Sequence, residues 1–186
     1  MNAGELIRKS RINQNQTLKQ LSRLTSLSVG YLSKLENSDR MPPFSTLQTI
    51  ATALGIEIES FFNSQDEKSE QEVRGDIFFS RSDDLDFEPV GDQGYTLVPL
   101  IHSYQNKFMS PFLMLVYPGS TSRFSHDAEE FVYVLSGKIE LYYDGNNYLL
   151  NQGDSVYFDS RKQHRLVNPG TDYVHLLSTV FMYRRF

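Results

Sequence analysis

The chain has 186 residues, a net charge of −5 and no cysteine, and it is rich in aromatic residues, with 13 Phe and 11 Tyr. This length accommodates a small domain plus a medium one, and the lack of cysteine excludes disulfides, thiolate zinc sites and thiol nucleophiles. The segment MNAGELIRKS lacks the apolar core of a signal peptide, and no apolar run is long enough to span a bilayer. We therefore expect a cytoplasmic protein without a membrane partner.

Charge is distributed unevenly along the chain. Residues 1–45 carry seven basic and three acidic side chains, a net charge of +4, whereas residues 63–186 carry 11 basic and 18 acidic, a net charge of −7. A basic head on an acidic body favours a nucleic-acid partner for the head alone.

Residues 1–62 show apolar side chains at helical spacing, as in Leu18, Leu21 and Leu24, which predicts a domain of short helices. Helix starts are indicated by two capping boxes, Thr17 to Gln20 and Ser45 to Gln48. Ser28 is a further candidate N-cap.

The stretch TLKQLSRLTSLSVGYLSKLEN, residues 17–37, places two helices around a turn at Ser26 and Leu27, which is a helix-turn-helix. Residues 4–62 resemble the lambda-repressor/Cro-like class, the XRE family, although this family's turn usually has Gly where Ser26 stands. The resemblance is carried by Ile7, Arg11, Thr17, Leu18, Leu21, Ser22, Ser28, Tyr31, Leu32, Ser33, Leu35, Glu36, Pro43, Thr46, Leu47, Ala51 and Leu54.

The resemblance implies a double-stranded DNA operator as partner, read by the helix that begins after Ser28. Its outward side chains would face the major groove, while basic residues nearby would contact phosphates. The predicted DNA-binding residues are Arg11, Thr17, Lys19, Ser28, Val29, Gly30, Tyr31, Ser33, Lys34 and Arg40.

Residues 63–76, NSQDEKSEQEVRGD, are polar and aperiodic, which predicts a linker. From residue 77 to 186 the pattern changes to short apolar and aromatic runs separated by turn residues, with a hairpin signal at Asp144-Gly145. Strands at this spacing without intervening helices indicate an antiparallel sandwich or barrel.

Residues 110–182, which are most of this second part, resemble a cupin, a small jelly-roll barrel. His126, Glu130 and Gly137 match its first motif, except that Phe124 stands where the first His is usual, and Gly153, His164 and Asn168 match its second. The predicted fold class is thus multidomain: an all-α lambda-repressor-like head, residues 1–62, and an all-β cupin jelly-roll barrel for ligand binding and dimerisation.

His126, Glu130 and His164 form a two-His, one-carboxylate set that suits a divalent metal such as Fe, Zn, Ni or Mn. The same set and the same two-part architecture resemble hydroxypropylphosphonate epoxidase, an iron enzyme. A buried hydrogen bond between His and Glu needs no metal, so the residues alone leave occupancy open.

The sequence therefore predicts a homodimeric transcription regulator, not an enzyme, whose cupin domain binds a small-molecule effector. The predicted ligand-binding residues are Arg123, His126, Glu130, Tyr133 and His164. Arg161 and Arg165 also lie beside the motif positions, where arginines can bind a carboxylate or phosphate through two hydrogen bonds. The alternative is a mononuclear non-haem iron oxygenase that resembles the epoxidase.

Overall fold

The computed structural model describes residues 2–62, 73–74, 77–81, 94–101, 107–121 and 123–182. The chain divides into two compact units, Met1–Gln65 and Asp66–Phe186, and this division falls within the segment predicted as a linker. Most of that segment lies outside the described residues, as does His102 of the barrel sequence.

The first unit is helical. Its elements are α1 Ala3–Asn13, α2 Leu18–Thr25, α3 Val29–Glu36, α4 Phe44–Leu54 and a 3-10 turn at Ile58–Phe61. Ile7, Leu21, Leu32, Leu47 and Ile50 are fully buried, so each of the four helices contributes to one shared core. Leu24 shares the helical spacing of the apolar residues but is 60% exposed.

Two predicted helix starts are confirmed and one is wrong. Thr17 caps α2 in a reciprocal box with Gln20, and Ser28 caps α3 by accepting a hydrogen bond from the Tyr31 N–H. Ser45 is not the N-cap: α4 begins two residues earlier than predicted, after Pro43, so that the buried Phe44 joins the helix.

The turn between α2 and α3 lies at Ser26, as predicted. Ser26 is the C-cap of α2 and adopts a left-handed conformation, with φ 58° and ψ 14°. This conformation costs a non-glycine residue about 1–2 kcal/mol, which explains why the family's turn usually has Gly at this position. The Ser22 hydroxyl donates a 2.6 Å hydrogen bond to the Leu27 carbonyl and so ties the turn to α2.

The second unit consists of antiparallel strands. They are β1 Val73–Arg74, β2 Ile77–Phe78, β3 Tyr95–Pro99, β4 Met109–Val116, β5 Gly119–Ser120, β6 Ala128–Ser136, β7 Lys138–Tyr143, β8 Asn146–Asn151, β9 Ser155–Asp159, β10 His164–Asn168 and β11 Val174–Met182. The two larger sheets have the strand orders β3-β4-β11-β6-β9 and β5-β10-β7-β8. The short pair β1-β2 begins inside the segment predicted to be only linker.

The barrel core follows the two-residue period of the strands. On β11, for example, Leu176, Ser178 and Val180 are buried, while the residues between them are half-buried. The predicted hairpin is confirmed, because Asp144 and Gly145 join β7 to β8 with positive φ at both residues. The predicted fold class, a helical head and a cupin barrel, is confirmed.

No helix in the described part of the chain is long and apolar enough to cross a membrane.

Candidate functional site

The outward face of α3 is the candidate nucleic-acid interface of the helical unit. Val29 is 43% exposed and Tyr31 36% exposed, and Lys34 is exposed as well. A Cβ atom built on Gly30 would meet nothing within 4 Å, so the helix backbone itself is open to a partner at this residue. The structure thus brings these predicted residues together on one surface, with Ser33 half-buried beside them.

The basic residues predicted to contact phosphates fall into two groups. Lys19 and Arg40 are exposed, whereas the side chain of Arg11 is only 12% exposed. Thr17 is exposed, but its hydroxyl already takes part in the α2 capping box.

Arg11 joins α1 to α3 inside the helical unit. Its Nε and Nη2 donate hydrogen bonds of 2.6 and 2.8 Å to the two carboxylate oxygens of Glu36, and its Nη1 donates one of 2.8 Å to the Gln16 carbonyl. The bond with Glu36 raises the pKa of Arg11 further above its ordinary value. With each guanidinium nitrogen engaged within the helical unit, Arg11 has a structural role, and its phosphate contact stays a prediction.

The barrel unit gathers three metal-ligand side chains. His126 lies just before β6, where its N–H donates to the Ser160 carbonyl, and Glu130 follows on an inward position of β6. His164 begins β10 in the other sheet. One ligand atom from each of the three lies within 4.8 Å of the others.

Glu130 is the centre of this cluster. Its Oε2 lies 3.6 Å from His126 Nε2 and 3.9 Å from His164 Nε2. The buried Ser178 and Ser160 hydroxyls donate to its two oxygens, at 2.8 and 3.3 Å. Neither serine was among the predicted site residues. A signal for Ser178 was present, since it is a polar residue at an inward position of an apolar strand.

The electrostatics keep the carboxylate charged and one histidine neutral. Burial raises the pKa of Glu130, but hydrogen bonding and charge from His126, the charge of His164 and the Ser178 bond outweigh it, so the net shift is downward. Burial is also the main cause of the lowered pKa of His164. Its Nδ1 lies 2.9 Å from the Lys162 carbonyl, which requires Nδ1 to carry the proton and leaves a lone pair on Nε2, facing Glu130.

Buried aromatic side chains pack against His164. Phe124, which stands where cupins usually have their first His, pairs with His164 through a β-bridge and is 8% exposed. Its ring centre lies 5.6 Å from that of His164, and Phe158 lies at 5.1 Å. The cluster therefore has three candidate metal ligands and an apolar side chain where a fourth would be. Two His nitrogens and one carboxylate form a donor set that suits a divalent cation such as iron or zinc.

The other predicted ligand-binding residues do not join the cluster. Tyr133 is three residues after Glu130 on β6, so the alternation of the strand places it on the opposite, outer face, where it is 37% exposed. Arg123 is exposed beside Phe124. Arg161 forms an ion pair with Asp159 at 2.6 Å, and its hydrogen bond lowers the pKa of that carboxyl to about 2.

Comparisons with known protein families agree with this two-part architecture. A family model described as a helix-turn-helix matches residues 7–61, and a cupin domain model matches residues 112–180. The HTH-type transcriptional regulator PuuR of Escherichia coli is 27% identical over 175 residues, which are 92% of this chain and 91% of PuuR. The immunity repressor of Bacillus phage phi105 is 30% identical over 112 residues, which are 50% of this chain and 76% of the repressor.

Two solved structures share the fold of the whole chain. An HTH_3 family transcriptional regulator from Vibrio cholerae superposes with a TM-score of 0.66 at 20% identity, over 97% of this chain and 95% of that one. Hydroxypropylphosphonic acid epoxidase from S. wedmorenis superposes with a TM-score of 0.50 at 19% identity, over 96% of both chains.

Proposed function

Because the chain carries an XRE-type helix-turn-helix domain and a C-terminal cupin domain and is similar to the regulator PuuR over 92% of its length, we propose that it is a DNA-binding regulator whose barrel senses a small molecule and thereby controls operator binding. The observation that carries this proposal is the convergence of His126, Glu130 and His164 in the barrel interior. A DNA partner implies that the protein works in the compartment that holds the chromosome, the cytoplasm of a bacterial cell.

In this proposal α3 enters the major groove of the operator. The exposed Val29, Gly30, Tyr31 and Lys34 lie nearest the bases, and the N-terminus of α3 offers free backbone amides to a phosphate. Lys19 and Arg40 contact the DNA backbone, which sets the register of the protein without reading sequence.

The protein acts as a homodimer, because one helix-turn-helix covers a half-site and paired half-sites lie about 34–36 Å apart. A ligand that binds one arrangement of the dimer better shifts the population towards or away from the spacing that fits DNA. The stoichiometry of the protein–DNA complex checks this: two chains per operator support it, and one chain per operator contradicts it.

We further propose that the cluster holds a divalent metal. The lone pair on His164 Nε2, the charged carboxylate of Glu130 and the two serine donors that orient it all favour a bound cation over a cluster held by its own hydrogen bonds. A metal bound by three side chains would offer coordination positions to oxygen or nitrogen atoms of the effector.

One alternative function is favoured by the same three residues. A two-His, one-carboxylate set is the donor set of non-haem iron oxygenases, and the epoxidase with the same overall fold has been solved with Fe(II). In that case His126→Ala removes iron binding and turnover together, and DNA affinity is unaffected by metal.

The experiment is a metal titration of the full chain, followed by measurement of operator affinity with and without the metal. We expect His126→Ala to weaken metal binding by on the order of 100-fold, because it removes one of three ligands. The matched control is His175→Ala, since His175 lies outside the cluster and contacts Ser136. It should leave metal binding unchanged.

The proposal is supported if metal or effector changes operator affinity in the wild type and not in His126→Ala. It is contradicted if the two proteins bind metal equally well, or if operator affinity is the same under all conditions.

A further inference from the structure

Two arginines stand side by side on the outer face of the β5-β10-β7-β8 sheet. Arg165 pairs with Tyr142 across β10 and β7. Phe124 pairs with His164, so the antiparallel register places Arg123, the residue before Phe124, next to Arg165. His164 is buried and Arg123 exposed, so the row of Arg123, Arg165 and Tyr142 faces away from the metal-ligand cluster.

Arg165 is held in position by an aromatic ring. Its Cζ lies 4.4 Å from the ring centre of Tyr142, a cation–π contact. A guanidinium stacked by its flat face keeps the N–H groups of its edge available, and this geometry suits two parallel hydrogen bonds to a carboxylate or phosphate.

Neither guanidinium forms an ion pair with a carboxylate of the described part of the chain. Two nearby basic side chains do form ion pairs: Arg161 pairs with Asp159, and Lys162 pairs with Asp144. Two like charges opposite each other on neighbouring strands are destabilising. A bound anion would relieve this repulsion.

The two arginines line a concave pocket of about 170 Å³. Its other lining residues are Tyr142, Gly145, Gln163 and His164. The volume suits a small ligand, and the net charge of −7 of residues 63–186 disfavours a long polyanion such as DNA on this surface.

We propose that this pocket is a second ligand site, which takes a small oxyanion bearing a carboxylate or a phosphate group. Arg165 binds the anion through two hydrogen bonds from its stacked guanidinium, and Arg123 contributes the second charge. The site is separate from the cluster at which we place metal and effector, although His164 contributes to both.

The test is calorimetric titration of the full chain with inorganic phosphate and, separately, with succinate, up to about 10 mM and at constant ionic strength set with chloride. We expect Arg165→Gln and Arg123→Gln each to weaken binding by roughly 10-fold or more, because each removes a charge-assisted hydrogen bond. Arg165→Lys should lose most of the affinity as well, since it keeps the charge but not the planar group.

Arg161→Gln is the matched control, because it removes the same charge from the same unit at a residue that is paired internally. It should change the affinity by less than about twofold. Arg123 is exposed, so Arg123→Gln remains informative even if Arg165→Gln perturbs the fold.

Binding of either anion supports the site. The anion that binds more tightly shows whether the site prefers a phosphate or a carboxylate. Absence of binding by both anions overturns the proposal, as does an equal loss in Arg161→Gln, which would indicate general charge attraction. It is also overturned if neither anion binds while the two arginine variants lower DNA affinity, since the face would then be a DNA contact.

Discussion

Gly30 has no packing explanation within the helical unit. It is the second residue of α3, and a Cβ atom there would meet nothing within 4 Å. Glycine in a helix costs about 0.5–1 kcal/mol relative to alanine, and nothing in the described structure offsets this cost. The proposed approach of α3 to the operator would explain it, because a backbone without a side chain can lie nearer to the DNA.

Gly30→Ala should therefore have opposite effects on stability and on binding. We expect the free energy of unfolding of the helical unit to rise by at most about 0.5–1 kcal/mol, because the full difference between glycine and alanine applies to a helix interior and Gly30 lies in the first turn. Operator affinity should fall by on the order of tenfold, because the methyl group occupies space at the interface. Urea unfolding followed by far-UV circular dichroism and DNA titration measure the two effects.

Thr52→Ala, an exposed change on α4 away from the predicted interface, serves as the control and should leave operator affinity unchanged. If Gly30→Ala binds the operator as well as the wild type does, then α3 does not approach DNA at Gly30.

The phase of a strand explains which site residues the sequence could predict. His126, Glu130 and His164 were predicted together because the motif spacing is local and family-specific. Tyr133 was assigned to the same pocket although it lies three positions after Glu130, and the two-residue period therefore places it on the outer face. The inward position of Ser178 could be predicted from the alternation of its strand, but its contact with Glu130 could not, because that contact depends on how β11 registers against β6.

At the scale of elements, the ion pair of Arg11 with Glu36 connects α1 to α3, the helix that carries the candidate interface. The two side chains are 12% and 4% exposed, and the pair lies 25 residues apart in sequence. Arg11 was predicted to contact a DNA phosphate because basic residues in a DNA-binding head are candidates for such contacts. No local pattern indicates that the buried partner is Glu36.

Arg11→Met should destabilise the helical unit by about 3–5 kcal/mol, since it leaves the Glu36 carboxylate buried without its partner. The double variant Arg11→Met/Glu36→Gln should recover part of this loss, because no unpaired charge then remains. Urea unfolding of the full chain, followed by the helical circular dichroism signal, measures both changes.

Another result would support the predicted contact of Arg11 with a DNA phosphate. If Arg11→Met unfolds at the same urea concentration as the wild type but loses operator affinity and salt dependence, Arg11 contacts a phosphate.

At the scale of the whole molecule, the chain combines a basic helical unit with an acidic barrel. Hydrophobic periodicity and charge distribution were sufficient to predict this division, because helical and strand periods differ and the sign of the charge changes between the units. The interior chemistry of the barrel was also predicted in outline. The identity of the effector depends on the shape of a pocket assembled from two sheets, which no spacing in the sequence determines.

The most direct test of the account is a titration of the full chain against fluorescently labelled DNA from upstream of its own gene. It should be done at physiological salt with a scrambled competitor, for the wild type and Lys34→Ala. We predict tight binding by the wild type that survives the competitor, with two chains per DNA, and weaker binding by Lys34→Ala with the fold unchanged. Weak binding that is equal for both DNAs and is lost with salt, with and without metal, would reflect phosphate attraction alone. That result would contradict a sequence-specific regulator and favour the iron oxygenase.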